Sequence, residues 1–239
     1  MKKPIYLLLL AVTAIFFSCK DNSEFAEQLF TNVQISSALK QCIKITVDST
    51  ANALCIVDTT KHDGYYYHAD STYRLTLLPA AKTVVDTLIA HGYKNQIDTL
   101  IFNMNRSAEK CGNKIVQFWE SIIKEMAFPN PNKLLHGGNN AITDYVKATK
   151  QSEFVAILIS SILKEQFDVL NVNTSWNALQ QTYFGITENY SSVDILNLTA
   201  QQMATGFFKK MAIVENAIRK DPNLRGDKNG WLYQVFATL

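Results

Sequence analysis

A mainly α-helical, single-domain bundle is what this sequence predicts, and three observations predict it. The apolar side chains Ile97, Ile101, Met104, Ala108, Cys111, Ile115, Phe118, Ile122 and Met126 follow one another in steps of three and four almost throughout, the period of one buried helix face. A similar run, Ala200, Met203, Phe207, Met211, Val214 and Ile218, lies near the carboxyl end. β-type composition is confined to one stretch. There Tyr65-Tyr66-Tyr67 and Tyr73 to Leu77 flank the turn-like Ala69-Asp70-Ser71, which predicts a short β-hairpin near residues 64–78. A chain of 239 residues suffices for one good-sized core and shows no internal linker, so one helical domain is expected over residues 33–239.

Residues 1–18 read as a secretory signal, with Lys2 and Lys3 as the charged start, an apolar run from Ile5 to Phe17, and the small Ser18 before the cut. The run is short for a membrane span. Phe16-Phe17-Ser18-Cys19 resembles a bacterial lipobox, which makes Cys19 the expected lipidation site and residues 19–32 a lipidated start and tether. A bacterial outer-membrane location facing the periplasm is therefore expected, with the cell surface as the other face. Lys and Arg number 23, two of them in the leader, against 21 Asp and Glu. A near-neutral mature chain gives no electrostatic case for nucleic acid. Beyond Cys19 the cysteines are Cys42, Cys55 and Cys111, expected as buried free thiols, with at most one disulfide among them.

Taken in order, Glu24 to Phe30 is a short amphipathic piece, and Ile35, Leu39, Cys42, Ile43, Thr46, Thr50, Leu54 and Val57 predict a helix over about Val33 to Asp58. Pro79 opens the next, Val84, Val85, Leu88 and Ile89 bury it, and Gly92 closes it. One long central helix follows from Ile97 to Met126, stopped by Phe128-Pro129-Asn130-Pro131. Asn130 caps a short helix from Pro131 that carries Leu134 and Leu135 and ends at His136-Gly137-Gly138. Asn139 or Asn140 caps a helix from Ala141 to about Lys150, and Ser152 begins another through Phe167. Trp176, Leu179 and Tyr183 mark a helix closed by Gly185. The last long helix ends at Asp221-Pro222, and Trp231, Leu232, Val235 and Phe236 form a final short one.

The polar motifs carry a resemblance. Asn105-Arg106-Ser107-Ala108-Glu109, Leu134-Leu135-His136-Gly137, Ala141-Ile142-Thr143-Asp144-Tyr145, Gly206-Phe207-Phe208, and Glu215 with Ile218-Arg219, Asp221-Pro222, Arg225 and Val235-Phe236 stand in that order. Gly64-Tyr65-Tyr66 and Leu78-Pro79 join them in the amino-terminal half. Together they resemble the bacterial family catalogued as domain of unknown function 4197, over most of the mature chain. The resemblance implies a fold and an envelope location, and no mechanism. Ser107 stands where that family usually has Ala, and Pro129-Asn130-Pro131 replaces an acidic residue.

Asn105, Arg106, Glu109, Asp144, Glu215, Arg219, Asp221 and Arg225 would form one polar cluster if the central and last long helices pack together. Such a cluster serves either as an internal network that fixes helix register or as a pocket in which Arg106 or Arg219 takes a small anionic ligand. Glu215 and Arg219, one turn apart, are in the favourable order for an ion pair, which contributes only ~0.3–0.5 kcal/mol where exposed. His136 and Gly137 form a candidate pocket for a hydrolase, with Glu109 or Asp144 as orienting acid; the other reading of His136 is a helix-terminal residue that favours the dipole. The tyrosines around Tyr65 and Tyr73 would offer a ledge to a glycan or a partner, or cover the open end of the core. His62, His68, His91 and His136 lack metal-ligand spacing, and no phosphate-cradling loop appears, so no metal or cofactor is expected. A binding or scaffolding role, with an envelope protein or small anion as partner, is the first expectation and a hydrolase the second.

Overall fold

In a computed structural model, residues 30–55, 72–77 and 79–239 are described. The leader, Cys19, most of the tether, the Glu24 to Phe30 piece short of its last residue, and the hairpin expectation apart from 72–77 lie outside the described residues. All regular structure among the described residues is helical. No helix among them is long and apolar enough to cross a membrane.

Thr31 starts α1 (Asn32–Leu54) with a capping box, its hydroxyl accepting from the Gln34 N–H while the Gln34 side chain accepts from the Thr31 N–H. The expected stripe from Ile35 to Leu54 is buried. α2 (Lys82–Ala90) begins after a turn at Pro79, not at the proline, and Ile89 is exposed where burial was expected. Gly92, at φ 89°, closes it.

The expected central rod is broken. α3 (Lys94–Glu109) stops and α4 (Gly112–Glu125) starts afresh after Lys110 and Cys111. The Cys111 N–H reaches back three residues to Ala108, a tightened turn, before the ladder resumes from Ile115 to Cys111. Just after the break the end of α1 packs so close that a β-carbon on Gly112 would lie 2.8 Å from that of Cys55. Beyond the break the buried face shifts by one position: Ile115, Trp119 and Ile123 are buried, while Phe118 and Ile122 are only half-buried. We expect Gly112→Ala to lower stability by about 1–3 kcal/mol, as overpacking does, although alanine is ordinarily the better helix former by about 1 kcal/mol. Denaturant unfolding checks this, and Cys55→Gly should relieve the loss in the double variant.

α4 runs antiparallel along α1, with Lys40 donating to the Lys124 carbonyl and Lys44 paired with Glu120. α5 (Pro131–Leu135) is capped by Asn130 as expected, its side-chain oxygen 2.9 Å from the Lys133 N–H. The two helices expected after it are one continuous run, because nothing at Gln151-Ser152 makes the chain leave the helix. α6 (Ala141–Ile157) passes through a π turn (Leu158–Ile162) into α7 (Leu163–Val169), so that Phe154, Val155, Leu158, Ile162 and Phe167 all face inward. α8 (Val172–Thr187) runs through Gly185 and ends at Glu188, whose φ of 57° makes the left-handed cap instead.

α9 (Ile195–Lys220), the longest helix among the described residues, is capped by the Asp194 carboxylate and packs on α1 and α6, whereas α2 and α3 attach to α8. Asp221 caps the short 3-10 turn Pro222–Arg225. α10 (Trp231–Phe236) docks along α1, fastened by the Gln41 side chain accepting from the Leu232 N–H at 2.9 Å. Trp119 fills the junction of α4, α6 and α9, its ring centroid 5.4 Å from Phe154, 6.3 Å from Phe207 and 5.9 Å from Phe208.

Candidate functional site

The eight polar residues expected to converge are divided between separate places. Each place is a junction between chain segments.

The first is on α3. Asn105 is fully buried, and its carboxamide accepts from the Leu75 N–H and donates to the Leu75 carbonyl, both at 3.0 Å. Gln202 on α9 makes the same exchange with Thr76, both bonds at 2.9 Å. The two amides thus grip adjacent residues from two helices. Among the described residues, 72–77 form no strand; Leu75 and Thr76 have side-chain amides as backbone partners, and Tyr73, Leu75 and Leu77 are buried. Gln202→Ala should therefore free the Thr76 N–H to exchange faster while costing only ~1 kcal/mol, and Asn105→Ala, at a fully buried position, about 1–3 kcal/mol. Amide hydrogen exchange and thermal melting read the two effects.

One position further on, Arg106 pairs with Glu109 at 2.9 Å, with the Glu109 side chain wholly out of solvent. The guanidinium lies over the Phe102 ring, 5.3 Å from its centroid.

The second place lies between α9, α5 and α6. One Glu215 carboxylate oxygen accepts from the Ile142 N–H at 3.1 Å and from Arg219 Nε at 2.8 Å, and the other accepts from the Thr143 N–H at 2.6 Å. Arg219 donates from its two terminal nitrogens to the carbonyls of Leu135 and Leu134, at 2.7 and 2.9 Å. An anion thus sits at the start of α6 and a cation at the end of α5, each the sign that the terminal backbone groups attract. The pair is buried, Glu215 at 1% and Arg219 at 9% exposure. Asn140, expected to cap α6, makes no such bond; its side chain donates to Asp144, and that pair is exposed. Arg225 donates to the Ile218 and Arg219 carbonyls, closing α9, and both arginines lie against the Phe236 ring at 5.5 and 5.9 Å. Asp221 binds the Asn223 backbone and side-chain amides.

His136 and Gly137 are exposed in the turn after α5. A β-carbon on Gly137 would fall 2.6 Å from that of Ala141, so close packing of α5 on α6 requires the glycine there. An open groove of about 610 Å³ runs along α6, lined by Asp144, Lys147, Ser152, Val155, Asn197 and Gln201; it does not include His136. Cys42, Cys55 and Cys111 are free thiols, and burial pushes Cys42 and Cys111 up to about 12 and Cys55 upward as well. Thiols held protonated make poor nucleophiles.

Gln202, Gln41 and Trp119 had no sequence signal as key residues. The partners of the two glutamines are 126 and 191 positions distant.

A family model described as a protein of unknown function (DUF4197) matches residues 29–237. No curated protein and no solved structure matches.

Proposed function

The chain belongs to the DUF4197 family of proteins of unknown function, and on that premise we propose that it is a lipid-anchored envelope protein that acts by binding or scaffolding. The observation that supports this reading is where its motif charges point. Arg219 directs Nε and both terminal nitrogens to its own chain, and Glu215 uses both oxygens on α6 and on Arg219. Groups so fixed hold a scaffold in shape and have little left to offer an anion or a reacting carbonyl. The lipobox-like Phe16-Phe17-Ser18-Cys19 supports the anchor. Partner recognition then falls to the outer surface, where the groove along α6 is a candidate.

Crosslinking in intact cells followed by mass spectrometry tests the proposal. The expected result is an acylated Cys19 and a recurrent envelope protein joined to the outer face. A purified chain that hydrolyses ester or amide substrates, and stops doing so on His136→Ala, would overturn it in favour of a hydrolase.

A further inference from the structure

Large apolar side chains stand on the surface where the described chain begins. Val33, in the first turn of α1, is 75% exposed, and Trp231, at the start of α10, is 37% exposed. The half-buried Phe30 ring meets the Trp231 indole edge-on, with centroids 6.5 Å apart, so the residues just ahead of α1 and the start of α10 share one surface, with Val33 three residues further on. Nothing in the helical packing requires an indole outside the core. Trp119 and Trp176 are both buried.

The length of chain ahead of this patch identifies what covers it. Cys19 and Phe30 are eleven residues apart, a span of at most ~40 Å even fully extended. A lipidated Cys19 therefore keeps this end of the domain beside the bilayer, at the high local concentration that a short tether imposes. A single lipid attachment gains from a second contact, and an indole is suited to the headgroup level because its ring is apolar and its N–H polar. The exposed charges in the turn before Trp231, Asp227 and Lys228, are of opposite sign, so apolar contact rather than attraction to anionic lipid carries the interaction. We propose that Phe30, Val33 and Trp231 form the surface on which the folded domain rests against the membrane that holds its anchor. This rests on the lipidation of Cys19 proposed above.

The test uses the mature chain on vesicles of phosphatidylethanolamine and phosphatidylglycerol with brominated acyl chains, after intact-mass measurement of acylation. A second arm couples the chain at Cys19 to a maleimide lipid in a Cys55→Ser background, where the remaining thiols, Cys42 and Cys111, are buried. Bromine should quench roughly a third of the tryptophan emission, the share of one interfacial indole in three. Trp231→Phe should abolish that quenching, and raised salt should leave it in place. Emission that bromine leaves unchanged in both arms overturns the proposal. So does a chain that dimerises without lipid and thereby shields Trp231 from acrylamide, because a second copy then covers the patch. An unacylated intact mass overturns the anchor reading alone, since the maleimide arm still reads the surface.

Discussion

Glu215→Ala is expected to lower the unfolding free energy by about 3–5 kcal/mol, the cost of removing one member of a buried ion pair and leaving the other in place. For a domain of this size that is a fall in Tm of roughly 6–20 °C. The physical reason is that one carboxylate does two things. It satisfies the first N–H groups of α6, and it neutralises an arginine whose other nitrogens are committed to the end of α5. Without it, Ile142 and Thr143 lose their acceptor and Arg219 keeps its charge in a buried place. Calorimetry reads the shift, and hydrogen exchange should show the Ile142 and Thr143 amides opening ahead of the rest of α6. Glu215→Gln, which keeps an acceptor but not the charge, should lose less.

Glu109→Ala should cost about as much, ~3–5 kcal/mol, by the same reasoning. Its side chain has no solvent exposure, and Arg106, stacked on Phe102, loses the carboxylate 2.9 Å away. Thermal melting checks it. A chain that melted unchanged and yet lost its crosslinked partner would assign Glu109 to recognition rather than to the fold.

The helical class, the family and most helix positions were legible because they depend on local patterns: periodic apolar faces, the Asn130-Pro131 start and the Asp221-Pro222 stop. The break at Lys110 and Cys111 was not. The three-and-four stepping of Ala108, Cys111 and Ile115 survives a tightened turn, and the close approach of Cys55 to Gly112 beside it involves a distant part of the chain. Continuity through Gln151-Ser152 was misread for the opposite reason, since a serine that can cap a helix need not do so. The polar motif residues were found but grouped wrongly. Spacing placed Glu215 and Arg219 one turn apart and could not show that α5 and α6 bury them. Asn105 could be placed on the flank of α3, but its partnership with Leu75, and that of Gln202 with Thr76, exist only once residues 75–76 pass between α3 and α9.

The central claim is that the motif charges act on each other and on the helix ends of their own chain. A double-mutant cycle on Glu215 and Arg219, read by denaturant unfolding, tests it most directly. The account predicts strong coupling, about 1–3 kcal/mol, with the double variant far less destabilised than the sum of the singles. Two single variants that unfold like the wild type, with effects additive to within ~0.5 kcal/mol, would contradict it.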